Sequence, residues 1–170
     1  MRLSAFARHY ISKMNQRKYL TKEQALQKAK HYCGYQERNH SEVKEKLYSL
    51  GLWKRDVEEI ISQLIEENYL NEERFAIAFT GGKFRMKYWG RVKIKYELQQ
   101  KKISSYCIKK AMKEIAEEDY KKTFSKLAKQ KWASLKSEKN IFTRKRKTQD
   151  YLLQKGFEYE LINEFFKNSE

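Results

Sequence analysis

Apolar residues recur along the chain at one spacing that appears three times. Counted from Leu47, they fall at +5, +10, +13 and +14, as Leu52, Val57, Ile60 and Ile61. From Leu98 the same offsets give Ile103, Ile108, Ala111 and Met112, and from Leu152 they give Phe157, Ile162, Phe165 and Phe166. The first two copies also match at +17, with Leu64 and Ile115, where the third has Ser169. Offsets +10, +13, +14 and +17 stand as i, i+3, i+4 and i+7, one face of an α-helix. At +4 the first and third copies carry Gly51 and Gly156, and glycine readily takes the left-handed conformation that ends a helix. Val43, Leu47 and Leu50, and Ile94 with Leu98, extend a helical period upstream. Each copy therefore reads helix, tight turn, helix. Ser41 is expected to cap the first helix of copy one, and Ser104 or Ser105 the last helix of copy two.

A third helix is predicted ahead of each pair. Ala25, Leu26, Ala29, Tyr32 and Cys33 supply its apolar face in copy one. Phe75, Ala76, Ala78 and Phe79 do so in copy two, with Asn71 as cap and Glu73 and Arg74 in the first turn; Phe124, Leu127, Ala128 and Trp132 serve copy three. The fold expected is all-α: three tandem three-helix, helix-turn-helix-like repeats at 22–70, 71–116 and 117–170, behind a basic N-terminal arm at 1–21. A unit of roughly 50 residues holds little core alone, so neighbours should stabilise one another in an elongated, curved array.

Composition narrows the class further. The 170 residues include no proline, only 6 glycines and 2 cysteines, while 40% are apolar. That is too apolar for a disordered chain, and too poor in turn formers for hairpin-rich folds. Cys33 and Cys107 read as reduced, buried thiols of a cytosolic protein rather than a disulfide. No run of 18 apolar residues is present, so no membrane span is expected. Before Glu23, the first acid, come Arg2, Arg8, Lys13, Arg17 and Lys18, with Leu3, Phe6, Tyr10 and Met14 at helical spacing. This stretch is open to several readings: a mobile or partly helical arm, a transit peptide, a membrane-surface helix, or a basic helix near nucleic acid.

Charge is concentrated rather than scattered. The net charge of +16 arises from +7 over residues 1–40, −5 over 41–73, +7 over 83–102, +10 over 121–147 and −3 over 148–170. The two central basic runs contain one acid each, Glu97 and Glu138. Lysine and arginine gathered on helices are the electrostatic footprint of a polyanion binder. The candidate contacts are Lys83, Arg85, Lys87, Arg91, Lys93, Lys95, Lys101, Lys102, Lys129, Lys131, Arg144, Lys145, Arg146 and Lys147. Phe84, Tyr88, Trp89 and Tyr96 lie among the first group and offer either base stacking or core packing. Lysine dominates, which suits sequence-independent phosphate contact better than operator reading.

Candidate chemistry is sparse. His31 and Cys33 are two apart on a predicted helix and so face apart. Asp56, Asp119 and Asp150 are dispersed, and Glu58-Glu59, Glu66-Glu67 and Glu72-Glu73 are neighbours that diverge on a helix, unlike the clustered carboxylates of a two-metal nuclease. Gly81-Gly82-Lys83 lacks the remaining glycine and the Ser/Thr of a phosphate loop and reads as a helix interruption or end. No enzyme activity and no cofactor are expected.

The central stretch, Leu64 to Ile103, resembles the RecX family of bacterial recombination regulators. Leu70 to Ala76 carries the leucine, polar, acidic, acidic, Arg-Phe-Ala segment of that family's middle repeat, and Gly90, Ile94, Leu98, Lys101 and Ile103 match the segment that follows. Lys102 stands where the family usually has glycine. Tyr35 to Leu52 looks like the first repeat, with Ser41-Glu42 and Lys46-Leu47 in place, and the likeness extends over about residues 24–166. The resemblance implies a cytoplasmic, non-enzymatic modulator of the RecA recombinase in DNA repair and recombination. It would bind the RecA–single-stranded DNA filament and restrain its growth, strand exchange and ATP hydrolysis. The implied partners are that filament and single-stranded DNA, with double-stranded DNA as a further ligand and no membrane. On this reading the arm is no transit peptide. The alternatives are a nonspecific DNA-binding helical protein without a recombinase partner, and a membrane-surface protein held by the arm. Distinct end units give no need for self-association, so a monomer is expected.

Overall fold

The computed structural model describes residues 20–167, and the expectations for the arm, apart from its last two residues, lie outside them. Among the described residues all regular structure is helical, in three successive triplets. The first holds α1 (Lys22–Tyr35), α2 (His40–Ser49) and α3 (Lys54–Glu66). The second holds α4 (Glu72–Lys87), α5 (Arg91–Gln100) and α6 (Ser105–Lys113). The third holds α7 (Glu117–Ser134), α8 (Ile141–Lys155) and α9 (Tyr159–Lys167). The chain divides into two compact units, one ending at Asn71 and one beginning at Glu72, so the second and third triplets share a unit.

The repeated offsets are core positions. Leu47, Leu98 and Leu152 are fully buried, and Leu52, Ile103 and Phe157 at +5 are buried against them. The helix end between these positions is the same three times. The +5 amide donates to the starting leucine's carbonyl, as Leu52 to Leu47 (3.5 Å), Ile103 to Leu98 (3.1 Å) and Phe157 to Leu152 (3.2 Å). The +4 amide donates to the +1 carbonyl, as Gly51 to Tyr48, Lys102 to Gln99 and Gly156 to Leu153. This is the Schellman closure, which needs a left-handed residue at +4. Gly51 and Gly156 adopt φ of 88° there, and Lys102 is held at 59°. A lysine in that region costs about 1–2 kcal/mol relative to an unstrained backbone. Lys102→Gly should therefore raise stability by about 1 kcal/mol. An unchanged urea midpoint for the second unit would show that the strain is relieved elsewhere.

Several local expectations are decided here, some against the sequence pattern. Asn39, not Ser41, caps α2: its Oδ1 accepts from the Glu42 amide at 2.8 Å, while Ser41 lies inside the helix. Ser104 caps α6, accepting from the Cys107 amide. Gly81-Gly82 does not interrupt α4, because Phe75, Ala76, Thr80 and Phe84 bury one face of that helix on both sides of the pair. The Arg85 guanidinium lies where a Cβ on Gly81 would point, about 2.8 Å away. Ala78 is exposed, and Phe79 only half-buried.

In the second unit one continuous core runs from Phe75 of α4 to Phe166 of α9. Tyr120, 1% exposed, joins its two triplets, with its ring 6.0 Å from Phe84 and 5.4 Å from Phe157. The Tyr120 hydroxyl donates to Glu158 Oε2 at 2.6 Å and accepts from the Arg91 amide at 3.0 Å. Burial, reinforced by the Glu158 carboxylate, pushes this phenol well above its ordinary pKa, so it stays a donor.

The α5 N-terminus has no side-chain cap. Its amides are met by the end of α8: Gly90 N–H donates to Lys155 O at 2.8 Å and Val92 N–H to Gly156 O at 3.1 Å. The positive end of one helix thus meets the negative end of another. Two glycines permit the approach. A Cβ on Gly90 would sit 2.1 Å from Gly156 O, and one on Gly156 would sit 2.2 Å from Lys93 Cβ.

Candidate nucleic-acid interface

The Gly90–Gly156 junction brings together lysines that are distant in sequence. Lys93 Nζ donates to Gln154 O and Lys155 Nζ to Lys87 O, both at 3.2 Å. Around them runs a strip of alternating ammonium groups and rings. Lys101 lies 5.8 Å from the Phe79 ring centre, and Lys83 lies 5.1 Å from Phe79 and 5.0 Å from Trp89. Lys93 is 4.7 Å from the other neighbour of the strip, Trp89 again, so two cations share that indole. Lys155 and Lys131 share Tyr151, at 5.7 and 5.3 Å. All five lysines are half-buried, their ammonium groups lying beside these rings.

Lys83, Lys93, Lys131 and Lys155 make no ion pair among the described residues. The first unit differs: Lys22, Lys30 and Lys44 are engaged by Glu59, Glu67 and Glu58. Those carboxylates explain its acidic balance. Hydrogen bonds from Lys22 and Arg55 hold Glu59 below the usual carboxylate range, and one from Lys30 does the same for Glu67. Like charges gathered in this way repel by a few tenths of a kcal/mol per pair in water.

The other sequence-selected cations fall into two sets. Arg91 is tied down, with its guanidinium paired to Glu117 (2.8 Å), donating to Ile115 O (3.1 Å) and lying 4.1 Å from the Tyr120 ring centre. Arg144 donates twice to Trp132 O and stacks on that indole at 4.2 Å, and Lys147 pairs with Glu138 at 2.7 Å. Lys145 lies 5.3 Å from Phe166, and Arg85 covers Gly81. Lys87, Lys95, Lys102, Lys129 and Arg146 are exposed. Among the aromatics, Phe84 is core and Trp89 half-buried, while Tyr88 and Tyr96 remain exposed.

Sequence reasoning missed Lys155 and Tyr151, because both lie in a tail whose sum is acidic. A signal was present. Lys155 stands at +3 of the third copy, where the second has Lys101. No group of three or more His, Cys, Asp or Glu among the described residues could hold a metal ion. No helix among them is long and apolar enough to cross a membrane.

Comparison with known proteins identifies the family. Residues 71–112 match the family model of the RecX second three-helix domain, and residues 117–166 that of the third. The chain belongs to the RecX family. A regulatory protein RecX of Clostridium perfringens (strain 13 / Type A) is 32% identical over 127 residues, 74% of this chain and 59% of the relative. A regulatory protein RecX of Prosthecochloris aestuarii is 28% identical over 140 residues, covering 82% of this chain and 89% of the relative. The crystal structure of RecX from Lactobacillus salivarius superposes with a TM-score of 0.75 at 25% identity, covering 86% of this chain and 95% of that one. The chain spans about three fifths of the length of the clostridial relative. Both triplets that build the lysine strip fall within the matched RecX domains.

Proposed function

We propose that this chain is a RecA modulator that lays the lysine–aromatic strip of its second unit along the phosphates of single-stranded DNA in the RecA filament. The carrying observation is the run Lys101–Lys83–Lys93–Lys155–Lys131 over Phe79, Trp89 and Tyr151, brought together from four helices and the helix end at Lys101. Sequence-independent phosphate contact suits such a strip, since a filament forms on any sequence. Lys102 supports the reading too, as a cation kept where the sister copies use glycine. Membership of the RecX family supports RecA as the partner. Bound there, the protein would hinder filament growth and the turnover of RecA without chemistry of its own.

The test is RecA's ATP hydrolysis on single-stranded DNA, measured with rising amounts of the protein alongside filament length by electron microscopy. Hydrolysis should fall and filaments shorten at protein levels well below those of RecA. Tight binding to naked DNA with hydrolysis and filament length unchanged would favour a nonspecific DNA-binding protein and reject the modulator.

A further inference from the structure

A hollow of about 300 Å³ lies between the end of α4 and the face of α7, lined by Tyr88, Lys122, Thr123, Lys126, Leu127 and Gln130. Its size is at the lower end of the roughly 300–1,000 Å³ that small ligands occupy. One wall is formed by Tyr88, a residue 41% exposed, and the buried Leu127 supplies apolar surface. Lys122 and Lys126 lie one helical turn apart on α7, and the Lys126 ammonium is 6.0 Å from the Tyr88 ring centre. Thr123 and Gln130 add a hydroxyl and an amide, each able to donate and accept. Among the described residues no carboxylate lines the hollow.

We infer that this hollow is a base slot, in which one unstacked base of a single strand rests against Tyr88 while Lys122 and Lys126 take the flanking phosphates. This rests on the DNA reading above and adds to it a contact that only an unpaired base can make. A flat ring beside an apolar side chain matches the face of a base, the amide and hydroxyl match its edge, and two lysines one turn apart match phosphates on either side of it. An acidic peptide would use the lysines but not the ring. Position favours a strand as well. Tyr88 is followed directly by Trp89 of the lysine strip, so a backbone tracking Lys83 and Lys93 passes one residue from the hollow. Tyr88 also holds φ at 53°, a conformation that glycine and asparagine adopt more readily than tyrosine. A purely structural link at that point has little need of a tyrosine.

The backbone suggests the variant. Tyr88→Asn removes the ring while keeping a residue suited to the left-handed region, and Tyr88→Phe keeps the ring without its hydroxyl. Binding of a 20-nucleotide oligo(dT) and of an abasic strand of equal phosphate count is measured for the full chain and both variants. Tyr88→Asn is expected to weaken oligo(dT) binding about 10-fold, leaving abasic binding and the salt dependence unchanged, with Tyr88→Phe close to the original. Equal losses on both strands, or none on oligo(dT), would overturn the base slot while the phosphate reading stands. Failure of the unaltered protein to bind either strand would overturn both. Photo-crosslinking of the unaltered protein to an iodouracil-substituted strand decides independently of how the variants fold. An adduct on Tyr88 supports the slot, and adducts confined to other residues reject it.

Discussion

Alanine in place of Gly156 is expected to cost the second unit about 3–5 kcal/mol, the range of mutations that break a packed junction. Two effects combine. The φ of 88° alone costs alanine about 1–2 kcal/mol. The new Cβ would also stand 2.2 Å from Lys93 Cβ and 2.6 Å from Lys93 N. Atoms at such distances cannot coexist, and the backbone cannot swing aside as a flexible side chain would. Relief requires α5 and α8 to part, which breaks the bonds from Gly90 to Lys155 O and from Val92 to Gly156 O. The Gly90 and Val92 amides would then turn to water or stay unmet. Gly90→Ala meets the same obstacle from the other side, with its Cβ 2.1 Å from Gly156 O.

Gly82→Ala provides the contrast. Nothing lies within 4 Å of a Cβ there, and the residue is inside α4, so alanine should stabilise by about 0.5–1 kcal/mol. Urea unfolding of the three variants, with hydrogen exchange at the Val92 amide, checks the pattern. A Gly156→Ala loss of 2 kcal/mol or less would mean that the conformational cost is the whole effect and the junction yields freely. Loss of the junction also separates Lys93 from Gln154 and Lys155 from Lys87, so binding to single-stranded DNA should weaken with it.

This junction also marks where sequence reading stopped. The three-helix repeats were legible because +5, +10, +13 and +14 are core positions, and burial demands apolar side chains at a helical period. Even the left-handed turn was visible at Gly51 and Gly156, though at Lys102 only the copies' alignment betrays it. Contact between Gly90 and Gly156 joins two backbones across distant segments, and such contact imposes no side-chain pattern beyond the absence of a Cβ. The α2 cap was misplaced for a related reason. Asn39 and Ser41 have equal chemistry for capping, and only the packing of Val43 and Leu47 fixes which turn comes first.

The interface was half legible for reasons of electrostatics. Segment sums find where charge is dense, but not which charges are spoken for. Arg91 and Lys147 lie in basic runs, yet each is already paired with a carboxylate, Glu117 and Glu138, within the fold. Lys155 lies in an acidic tail, yet joins the strip because its helix end meets α5. Fold topology, rather than local composition, decides which cations are available to a ligand.

Availability is measurable. Changing Lys83, Lys93, Lys131 and Lys155 together to glutamine is expected to flatten the dependence of single-stranded DNA affinity on salt. Each lost phosphate contact removes about 0.7 from the log–log slope, so four remove nearly 3 and weaken binding on the order of 100-fold or more near 0.1 M salt. The matched control changes Lys44, Arg55, Lys110 and Lys147, which are paired with Glu58, Glu59, Glu73 and Glu138. It removes the same number of charges. Yet these cations are already neutralised locally, and exposed pairs contribute little to stability, so the control should fold normally. Its slope should stay within about one unit of the original, because a cation already paired with a carboxylate neutralises no phosphate and so releases none of the counterions condensed on the DNA. Equal flattening in both variants would show that net charge alone attracts DNA and that the strip is an ordinary solvated surface. Flattening confined to the first variant, with circular dichroism unchanged in both, would locate the phosphates on the lysines that the Gly90–Gly156 junction assembles.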